Sequence, residues 1–461
     1  MSESEAVTRA ASAASGLLPS LDPLLRPWLP RQRWFAGKGR PVSGFSLVAA
    51  TELLPPGGRI GLYHLLVRAH QPPRGDCYQL LIGTREALPP RLAPALIGHV
   101  TEGPLAGRTV YDALYDPRPA EVLLEALRSR ARIGGLRFER DEDAEPGAAI
   151  PPGLVPRLST AEQSNSSVVY GDAYVLKLFR RIAPGVNPDL ELPLALAREG
   201  CARVPAPTGW IRADLGGEPL VLGVLQPFLP GVTDGWELAL RERAKGQDFT
   251  AEARELGRAT ADVHTTLARA LPVVTLGPAQ LEPLVAGMRG RLDAAVRAVP
   301  ALLPYAPGLR AAFDALAGIA PGSRTAQRVH GDLHLGQCLR DPSGRWSLID
   351  FEGEPARPLA ERRMPQPVVR DIAGMLRSFD YAARSARPPV PEDTAAAWAG
   401  ACRDAYCAGY AEVTGADPRA DAVLLRAYET DKAVYEVVYE ARHRPDWLGV
   451  PLSAVARLTS G

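Results

Sequence analysis

The feature that most constrains this chain is a pair of acidic loop segments, eighteen residues apart when counted from Asp332 to Asp350. The first segment contains Asp332 in the triplet His-Gly-Asp and carries the amide of Gln337 five residues later. The second segment begins with Asp350, which directly follows the short apolar run 346–349. Because a short apolar run of this kind is typical of a buried strand, Asp350 is predicted to stand at the end of a strand.

The type, order and spacing of these side chains match the phosphoryl-transfer core of kinases with the protein-kinase architecture. In that core one Asp accepts the proton of the substrate hydroxyl, and an Asn five residues later holds Mg²⁺. An Asp at the following strand end holds the metal that bridges the ATP phosphates. Asp332 is therefore the predicted catalytic residue, and Gln337 and Asp350 are predicted metal ligands, with Glu352 as an auxiliary ligand. The alternative is two unrelated acidic turns.

Composition limits the possible partners of the chain. Its 461 residues are enough for two or three packed units. The 53 basic and 52 acidic residues leave a net charge of +1, so no basic excess favours a nucleic-acid or membrane partner. The 5 cysteines form no CxxC pair, the first residues lack the apolar core of a signal peptide, and no run of about 18 apolar residues occurs. A cytoplasmic enzyme without a zinc site or a disulfide framework is expected.

Apolar patterning divides the chain into a β-rich half followed by a helical half. Apolar runs bounded by turn residues predict strands at 45–54, 61–69, 78–83, 167–170, 174–179 and 220–228. Apolar residues at helical spacing predict helices at 251–267, 396–413 and 419–442. The sequence therefore predicts an α+β fold of the bilobal, protein-kinase-like type. Its predicted parts are a small N-terminal unit at 1–90, a β-rich N-terminal lobe at 91–228 and an α-helical C-terminal lobe at 229–461.

A candidate site for the ATP phosphates lies in the predicted hairpin at residues 164–177. Lys177 ends an alternating strand and is one of only four lysines in the chain. In kinases, a lysine at such a strand end neutralises the phosphates of ATP. The chain has no G-x-G-x-x-G loop here, so the turn containing Ser164, Ser166 and Ser167 is predicted to cover the phosphates. The alternative for Lys177 is a solvated side chain at a strand end.

Two further elements complete the predicted nucleotide site. Glu191 begins a plausible helix and is predicted to pair with Lys177, with Glu199 as the competing partner. The connection between the lobes is predicted near Gln226 and Phe228, where backbone groups would meet the adenine ring. Side-chain identity indicates little at this connection, because backbone atoms make the expected contacts.

Several longer segments resemble the actinobacterial maltokinases, a branch of the aminoglycoside-phosphotransferase-like small-molecule kinases. The resemblance spans nearly the whole chain and is carried by segments 31–40, 329–337, 348–363, 370–381 and 428–447. It implies ATP- and Mg²⁺-dependent phosphorylation of maltose at its anomeric hydroxyl, giving maltose 1-phosphate for α-glucan (glycogen) synthesis. It also implies an N-terminal cap, for which residues 1–90 are the candidate, and a functional association with a maltose-forming enzyme of trehalose or α-glucan metabolism.

The last long helix offers the candidate sugar-binding face. Lys432, Tyr435, Glu436 and Tyr439 follow one another at i, i+3, i+4 and i+7, which places them on one side of a helix. Aromatic rings beside charged groups suit the C–H faces and the hydroxyl groups of a neutral disaccharide. Tyr381 is a further candidate contact. The alternative is a buried tyrosine seam with ordinary surface charges.

Other residues are expected to support the site. Asp371 is expected to hold the backbone of the catalytic loop, as an Asp at this place commonly does in this fold, and His330 to orient the same loop. His334 either contacts the substrate or packs against the protein. The aromatic pair Trp34 and Phe35 is expected to be structural rather than in contact with substrate.

Two other functions fit the same residues. A kinase of another sugar or amino sugar, such as glucosamine or an aminoglycoside, would need added carboxylates facing the amine, and the last long helix carries Glu436 and Glu440. A non-catalytic pseudokinase that acts as a binding module is the other alternative. The presence of Lys177, Asp332 and Asp350 argues against it.

Overall fold

The computed structural model describes residues 3–72, 75–141, 149–159, 164–319, 324–355, 357–385 and 390–459. The chain forms two compact units, which we call the N-terminal unit and the C-terminal unit. The N-terminal unit comprises residues 1–190 and 206–229, and the C-terminal unit comprises residues 191–205 and 230–461.

The N-terminal unit consists mainly of antiparallel strands. Its elements are α1 (Glu3–Trp28), β1 (Gly44–Leu54), β2 (Gly61–His70), β3 (Cys77–Arg85), β4 (Leu96–His99), β5 (Thr109–Asp112), α2 (Pro117–Arg128), β6 (Arg132–Ile133), β7 (Leu136–Arg140), β8 (Pro156–Leu158), β9 (Ser166–Tyr170), β10 (Tyr174–Leu178), β11 (Arg181–Ile182), the start of α3 (Pro188–Arg198), β12 (Gly209–Leu215) and β13 (Glu218–Pro227). One sheet has the strand order β1-β2-β3-β5-β4, with β11 paired to β3. The other has the order β6-β7-β12-β13-β10-β9-β8.

Strand β2 is buried on both faces, which explains its nearly continuous apolar sequence. Successive side chains of a strand point to opposite faces of the sheet. Tyr63, Leu65 and Val67 therefore belong to the core that also contains the apolar residues of α1. Leu62 and Leu66 belong to the core shared by α2 and the second sheet. Burial on both faces places the first sheet between these two cores.

A buried amide joins the two sheets of the N-terminal unit. Gln79 Nε2 on β3 donates to the backbone oxygens of Phe179 and Leu222, each at 2.8 Å. Gln79 Oε1 lies 2.7 Å from His64 Nε2. Burial lowers the pKa of His64 to about 4, so the ring is neutral at neutral pH and donates its N–H to the amide oxygen. Because Phe179 directly follows β10, the first sheet helps to position the strand that carries Lys177.

The C-terminal unit is mainly helical. Beyond the rest of α3, its elements are β14 (Thr233–Asp234), α4 (Gly235–Ala244), α5 (Thr250–Ala270), β15 (Val274–Thr275), α6 (Pro278–Ala298), α7 (Ala306–Ala317), β16 (Thr325–Ala326), β17 (Cys338–Arg340), β18 (Trp346–Leu348), α8 (Leu359–Arg362), α9 (Val369–Arg384), α10 (Glu392–Thr414), α11 (Ala422–His443) and α12 (Gly449–Thr459). Apolar side chains of α5, α6, α7, α9, α10 and α11 share its core. Strands β14, β17 and β18 form a small antiparallel sheet beside that core.

The strands and helices predicted from apolar patterning are confirmed, with ends that differ by at most four residues. The first sheet continues to Asp112, beyond the boundary predicted at residue 90, and the domain boundaries themselves stay predictions. Among the described residues, no helix combines the length and the apolar character needed to cross a membrane.

Candidate active site

One buried carboxylate anchors the loop that leads to Asp332. Asp371, in the first turn of α9, accepts hydrogen bonds from the backbone N–H groups of His330 and Gly331, each at 2.8 Å. It also accepts from His264 Nε2 at 3.0 Å. Burial alone would raise the pKa of Asp371, but the hydrogen bonds from His264 and Gly331 help to hold it below its ordinary value. The expected role of Asp371 as the anchor of this backbone is thereby confirmed.

Two glycines allow the loop to lie close to its neighbours. Gly331 has a φ of +84°, in the left-handed region that L side chains rarely adopt. At Gly374 on α9, a Cβ atom would lie 2.5 Å from the backbone oxygen of Leu333. Any side chain at this position would push α9 away from the loop, so Gly374 sets how closely Asp371 approaches its partners.

The two histidines of the His-Gly-Asp segment support the loop itself. His330 Nε2 donates to the backbone oxygen of Ile349 at 2.8 Å, which leaves Nδ1 as the acceptor for the N–H of Asp332 at 3.4 Å. His334 Nδ1 accepts from the N–H of Gly336 at 3.1 Å. Burial lowers the pKa of His334. His330 therefore orients the loop as predicted, and a substrate contact by His334 stays a prediction.

Asp332 shares a lysine with a second carboxylate. Lys432 Nζ on α11 donates to Asp332 Oδ1 at 2.9 Å and lies 3.4 Å from Glu354 Oε1. Burial alone would lower the pKa of Lys432, but Asp332 and Glu354 raise it above its ordinary value. Burial alone would raise the pKa of Glu354, but Lys432, Arg370 and Arg357 lower it to about 2. These charges border a small cavity of about 20 Å³, and Lys432 lies beside the predicted catalytic residue.

The predicted metal ligands Gln337 and Asp350 are in direct contact. Gln337 Nε2 donates to Asp350 Oδ2 at 2.8 Å. Asp350 has a φ of +66°, an uncommon conformation for a residue other than Gly. Carboxylate and amide oxygens are ligands that Mg²⁺ prefers, so this pair fits the predicted metal site. Glu352 Oε2 lies 3.7 Å from Arg362 Nη1, and its auxiliary role stays a prediction.

Part of the predicted sugar face is formed. Lys432 Nζ lies 5.2 Å from the centroid of the Tyr435 ring, and the rings of Tyr435 and Tyr439 stack with centroids 6.2 Å apart. Tyr439 is 38 % exposed, so a sugar ring could reach it. These three side chains share one face of α11 as predicted, and sugar binding by them stays a prediction.

Glu436 and Tyr381 are engaged in internal contacts, and their roles as sugar contacts stay predictions. Glu436 Oε2 accepts two hydrogen bonds from Arg377, at 2.9 and 2.8 Å, and Arg377 is only 1 % exposed. The Tyr381 hydroxyl donates to Glu440 Oε1 at 3.2 Å and is also buried. The physical reason is that a buried guanidinium needs a carboxylate partner, and Glu436 supplies it.

On the N-terminal unit, the partner of Lys177 is Asp189 rather than Glu191. Lys177 Nζ donates to Asp189 Oδ2 at 2.8 Å, and both side chains are buried. Glu191 Oε2 instead accepts from Arg328 Nη1 at 2.6 Å. Residues two apart in a helix point about 200° away from each other, so only one of the two acids can face the lysine. The predicted Lys177–Glu191 pair is therefore wrong.

This correction predicts different effects on kcat/KM for two matched substitutions, Asp189→Asn and Glu191→Gln. We expect Asp189→Asn to lower kcat/KM for ATP by about 10- to 100-fold, because Lys177 loses a charge-assisted hydrogen bond of ~1.5–3 kcal/mol. We expect Glu191→Gln, the same change of carboxylate to amide, to alter it by less than about threefold, since Glu191 binds Arg328 and not Lys177. Steady-state kinetics with ATP as the varied substrate measures both. Equal losses in the two variants would contradict the Asp189 assignment.

Ser166 and Ser167 lie in β9 rather than in a turn, and phosphate binding by this segment stays a prediction. They pair in register with Leu178 and Lys177 on β10. The physical reason is that the antiparallel ladder of the hairpin extends as far as Ser166. Ser164 precedes the strand, and residues 160–163 lie outside the described part of the chain.

Arg180 is a buried residue of this region that the sequence did not single out. Its guanidinium donates to Ser166 Oγ and to Asp112 Oδ2, both at 2.8 Å, and lies 4.7 Å from the centroid of the Trp34 ring. Trp34 and Phe35 are buried, which confirms their expected structural role. Because the partners of Arg180 are distant in the chain, no local pattern marked it.

Gln226 and Phe228 lie where the chain leaves the N-terminal unit, whose last residue is Leu229. Gln226 pairs with Val175 across β13 and β10. The N–H of Phe228 donates to the backbone oxygen of Ala173 at 2.8 Å. Backbone contacts with adenine at these positions stay a prediction.

Comparison with known protein families supports the kinase-like arrangement of the residues described above. The model of the phosphotransferase enzyme family matches residues 154–423, more than half of the chain. The chain belongs to this family. The model of the maltokinase N-terminal cap domain matches residues 28–116. The two matches confirm the predicted family, including the N-terminal cap.

Two curated relatives are glucosamine kinases. The protein from Streptacidiphilus jiangxiensis is 33 % identical over 357 residues, covering 72 % of this chain and 79 % of the relative. The protein from Mycolicibacterium smegmatis is 30 % identical over 333 residues, covering 65 % of this chain and 78 % of the relative.

Solved structures of glucosamine kinase share the fold. One crystal form matches with a TM-score of 0.70 at 25 % identity, covering 95 % of this chain and 99 % of that one. A complex with glucosamine, ADP and inorganic phosphate matches with a TM-score of 0.66 at 26 % identity, covering 96 % and 99 %. These matches confirm the predicted α+β, kinase-like fold with a cap and a helical C-terminal region.

Proposed function

We propose that this protein is an ATP-dependent sugar kinase, which transfers the terminal phosphoryl group of ATP to a hydroxyl group of a sugar. The observation that carries this proposal is the position of Asp332. Its loop is held by Asp371, its carboxylate is held by Lys432 at 2.9 Å, and the two predicted metal ligands Gln337 and Asp350 contact each other. The family match and the glucosamine kinase relatives support the same reaction class.

In the proposed mechanism, positioning and charge matter more than base strength, because phosphoryl transfer has a largely dissociative transition state. Asp332 orients the acceptor hydroxyl and accepts its proton, while Lys432 fixes the carboxylate. Gln337 and Asp350 would hold Mg²⁺, which when bound supplies charge neutralisation to the β- and γ-phosphates. Lys177 neutralises the α- and β-phosphates, and its ammonium group is oriented by the carboxylate of Asp189.

For the acceptor sugar, glucosamine is the first candidate. Two curated relatives, at 33 % and 30 % identity, are glucosamine kinases, and they align with 72 % and 65 % of this chain. A related structure was solved with glucosamine, ADP and inorganic phosphate. Binding of a protonated amine would require a carboxylate in the acceptor site, and Asp332, Glu354 and Asp431 are the carboxylates that line the cavity beside Lys432.

Maltose, phosphorylated at its anomeric hydroxyl, is the second candidate, and a specific observation favours it. The two acids of α11 that the sequence offered as partners for an amine, Glu436 and Glu440, are already engaged in internal contacts. Glu436 binds Arg377, and Glu440 accepts from Tyr381 and from Arg444. A neutral disaccharide needs no free carboxylate, and the stacked tyrosines of α11 offer an apolar surface to a sugar ring. The cap-domain match agrees with this candidate. Maltose use would also support the expected association with a maltose-forming enzyme.

A panel of acceptors with ATP and Mg²⁺ tests the proposal. The panel contains glucosamine, maltose, glucose and an aminoglycoside, and kcat/KM is measured from ADP release, with the phosphate position identified by phosphorus NMR. Because a site that hydrogen-bonds its substrate rejects analogues lacking those groups, we expect the preferred sugar to exceed the others by at least about 100-fold.

Each outcome of this panel has a defined meaning. A preference for glucosamine supports the first candidate, and a preference for maltose with a 1-phosphate product supports the second. Absence of sugar-dependent ADP release across the panel, in a protein that binds ATP, would contradict the proposed function. The Asp332→Asn variant provides the blank for any ATP hydrolysis that is independent of transfer.

A further inference from the structure

A second pocket lies in the N-terminal unit, lined by residues to which the kinase reaction assigns no role. Its cavity volume is about 560 Å³, and the pocket opens to solvent. We call it the arginine pocket, because four arginines from four different segments line it: Arg59, Arg85, Arg91 and Arg118. Pockets that bind small molecules are typically about 300–1,000 Å³, so its size is sufficient for a metabolite.

The acidic residues of the arginine pocket are already engaged. Asp116 accepts from Arg85 Nη2 at 2.5 Å, from the Tyr111 hydroxyl at 2.8 Å and from the backbone N–H of Arg118 at 3.3 Å. Glu121 accepts from Arg118 Nη1 at 3.1 Å. Two carboxylates therefore face four guanidinium groups, and both carboxylates are paired with arginines of the same pocket.

Arg59 and Arg91 supply the excess positive charge. Each is exposed, and neither forms a hydrogen bond or an ion pair with any residue that the structure describes. Arg59 belongs to the connection between β1 and β2, and Arg91 follows β3, so the sequence brings the two groups to one pocket from separate segments. A guanidinium presents a planar pair of N–H donors that matches the oxygens of a phosphate group.

The remaining wall is apolar. Leu54, Ile60 and Pro117 line the same pocket as the arginines. An inorganic anion would leave this wall in contact with water, whereas an organic ligand could cover it. The combination of an apolar wall with uncompensated arginines fits a small molecule that carries a phosphate group at one end.

We propose that the arginine pocket binds a small phosphate ester, with its phosphate held by Arg59 and Arg91 and its organic part against Leu54 and Ile60. Two sources have this chemistry, a sugar phosphate and a nucleoside monophosphate. Binding there does not depend on the sugar-kinase reaction, since the pocket is not lined by Asp332, Asp350 or Lys177.

The test compares three forms of the full-length chain by isothermal titration calorimetry. They are the wild type, the pocket variant Arg59→Gln/Arg91→Gln, and the control variant Arg68→Gln/Arg157→Gln, which removes two exposed arginines of the same unit that do not line the pocket. The probes are glucosamine 6-phosphate, AMP and inorganic phosphate. Any binding at the kinase site is common to all three proteins, so the difference between the two variants isolates the pocket.

We expect at least one ester to bind the wild type and the control equally, and the pocket variant at least about tenfold more weakly, with the tighter ester identifying the source. Equal ester affinity in all three proteins would overturn the proposal, as would the absence of ester binding to the wild type at millimolar concentration. Inorganic phosphate that binds as tightly as both esters would overturn the role of the apolar wall. Thermal melting verifies that both variants are folded. Because calorimetry measures binding and not turnover, these outcomes can be interpreted whether or not the protein phosphorylates a sugar.

Discussion

Replacing Asp332 with Asn is expected to lower kcat by about 10³-fold or more, equivalent to ~4 kcal/mol of transition-state stabilisation. The amide keeps the size and shape of the side chain but accepts no proton from the acceptor hydroxyl. The fold should persist, because Lys432 retains Glu354 as a carboxylate partner at 3.4 Å. Single-turnover phosphoryl transfer with the preferred sugar measures the loss, and nucleotide binding measured by calorimetry should change little.

An exposed carboxylate of the same unit provides the matched control for this variant. Asp314 pairs with Arg289 on the surface, so Asp314→Asn makes the same chemical change away from the loop and should leave kcat within about twofold, as expected for a surface substitution. A folded Asp332→Asn protein with near-normal turnover would show that the reacting centre lies elsewhere. The next position to examine would then be Glu354, the other carboxylate that contacts Lys432.

The core of the candidate site was predictable because its residues are close together in the sequence. Asp332, Gln337 and Asp350 stand on two loops joined by one short hairpin, so their spacing alone limits where they can lie. The observed contact between Gln337 and Asp350 follows from that local geometry. Asp371 was predicted on other grounds, because an Asp at this place commonly holds the backbone of the catalytic loop in proteins of this fold.

Pairings between distant segments were not predictable from spacing. Asp189 and Glu191 both lie in the first turns of α3, and the partner of Lys177 depends on the rotational phase of that helix. The order Asn-Pro-Asp is a helix-start signal that favours an early position for Asp189. The sequence interpretation weighed only Glu191 and Glu199, since a glutamate is the usual partner of this lysine in kinases, and it did not consider Asp189.

The contact between α9 and α11 shows the same limit. Tyr435 and Glu436 are adjacent in sequence, so their side chains differ in direction by about 100° around the helix. A face wide enough to include both also reaches the neighbouring helix, where Arg377 is buried. Which residue of the face turns inward depends on the packing partner, and no local pattern contains that information.

The second large effect is expected for Asp371→Asn. Asp371 accepts three hydrogen bonds, from the N–H groups of His330 and Gly331 and from His264 Nε2. An Asn side chain has one acceptor oxygen, and its NH₂ group would face a donor in a site where Asp371 is 1 % exposed. A buried group left without a partner costs about 1–3 kcal/mol, so unfolding free energy should fall by at least this amount. We also expect kcat to fall by about 10²-fold, since the misplaced loop moves Asp332.

Ser378→Ala is the matched control, because Ser378 Oγ accepts a single neutral hydrogen bond from the N–H of Leu335 in the same loop, at 3.1 Å. Its effect on unfolding free energy should be about 1 kcal/mol, with a smaller loss of kcat. Chemical denaturation followed by circular dichroism measures stability, and steady-state kinetics measures kcat. Wild-type stability and kcat in Asp371→Asn would contradict the anchoring role.

The pH dependence of the stability difference between the wild type and Asp371→Asn distinguishes the loss of an anchoring carboxylate from an ordinary packing defect. The pKa of Asp371 is lowered in the folded protein, so the stability that its ionised form supplies is complete above the unfolded pKa of about 3.9. That contribution is lost as pH falls through the folded pKa. The stability difference between the wild type and Asp371→Asn should therefore be constant from about pH 5 to 7 and shrink below about pH 4. A difference that stays the same down to acid unfolding would mean that the cost of the substitution comes from shape rather than from the lost carboxylate.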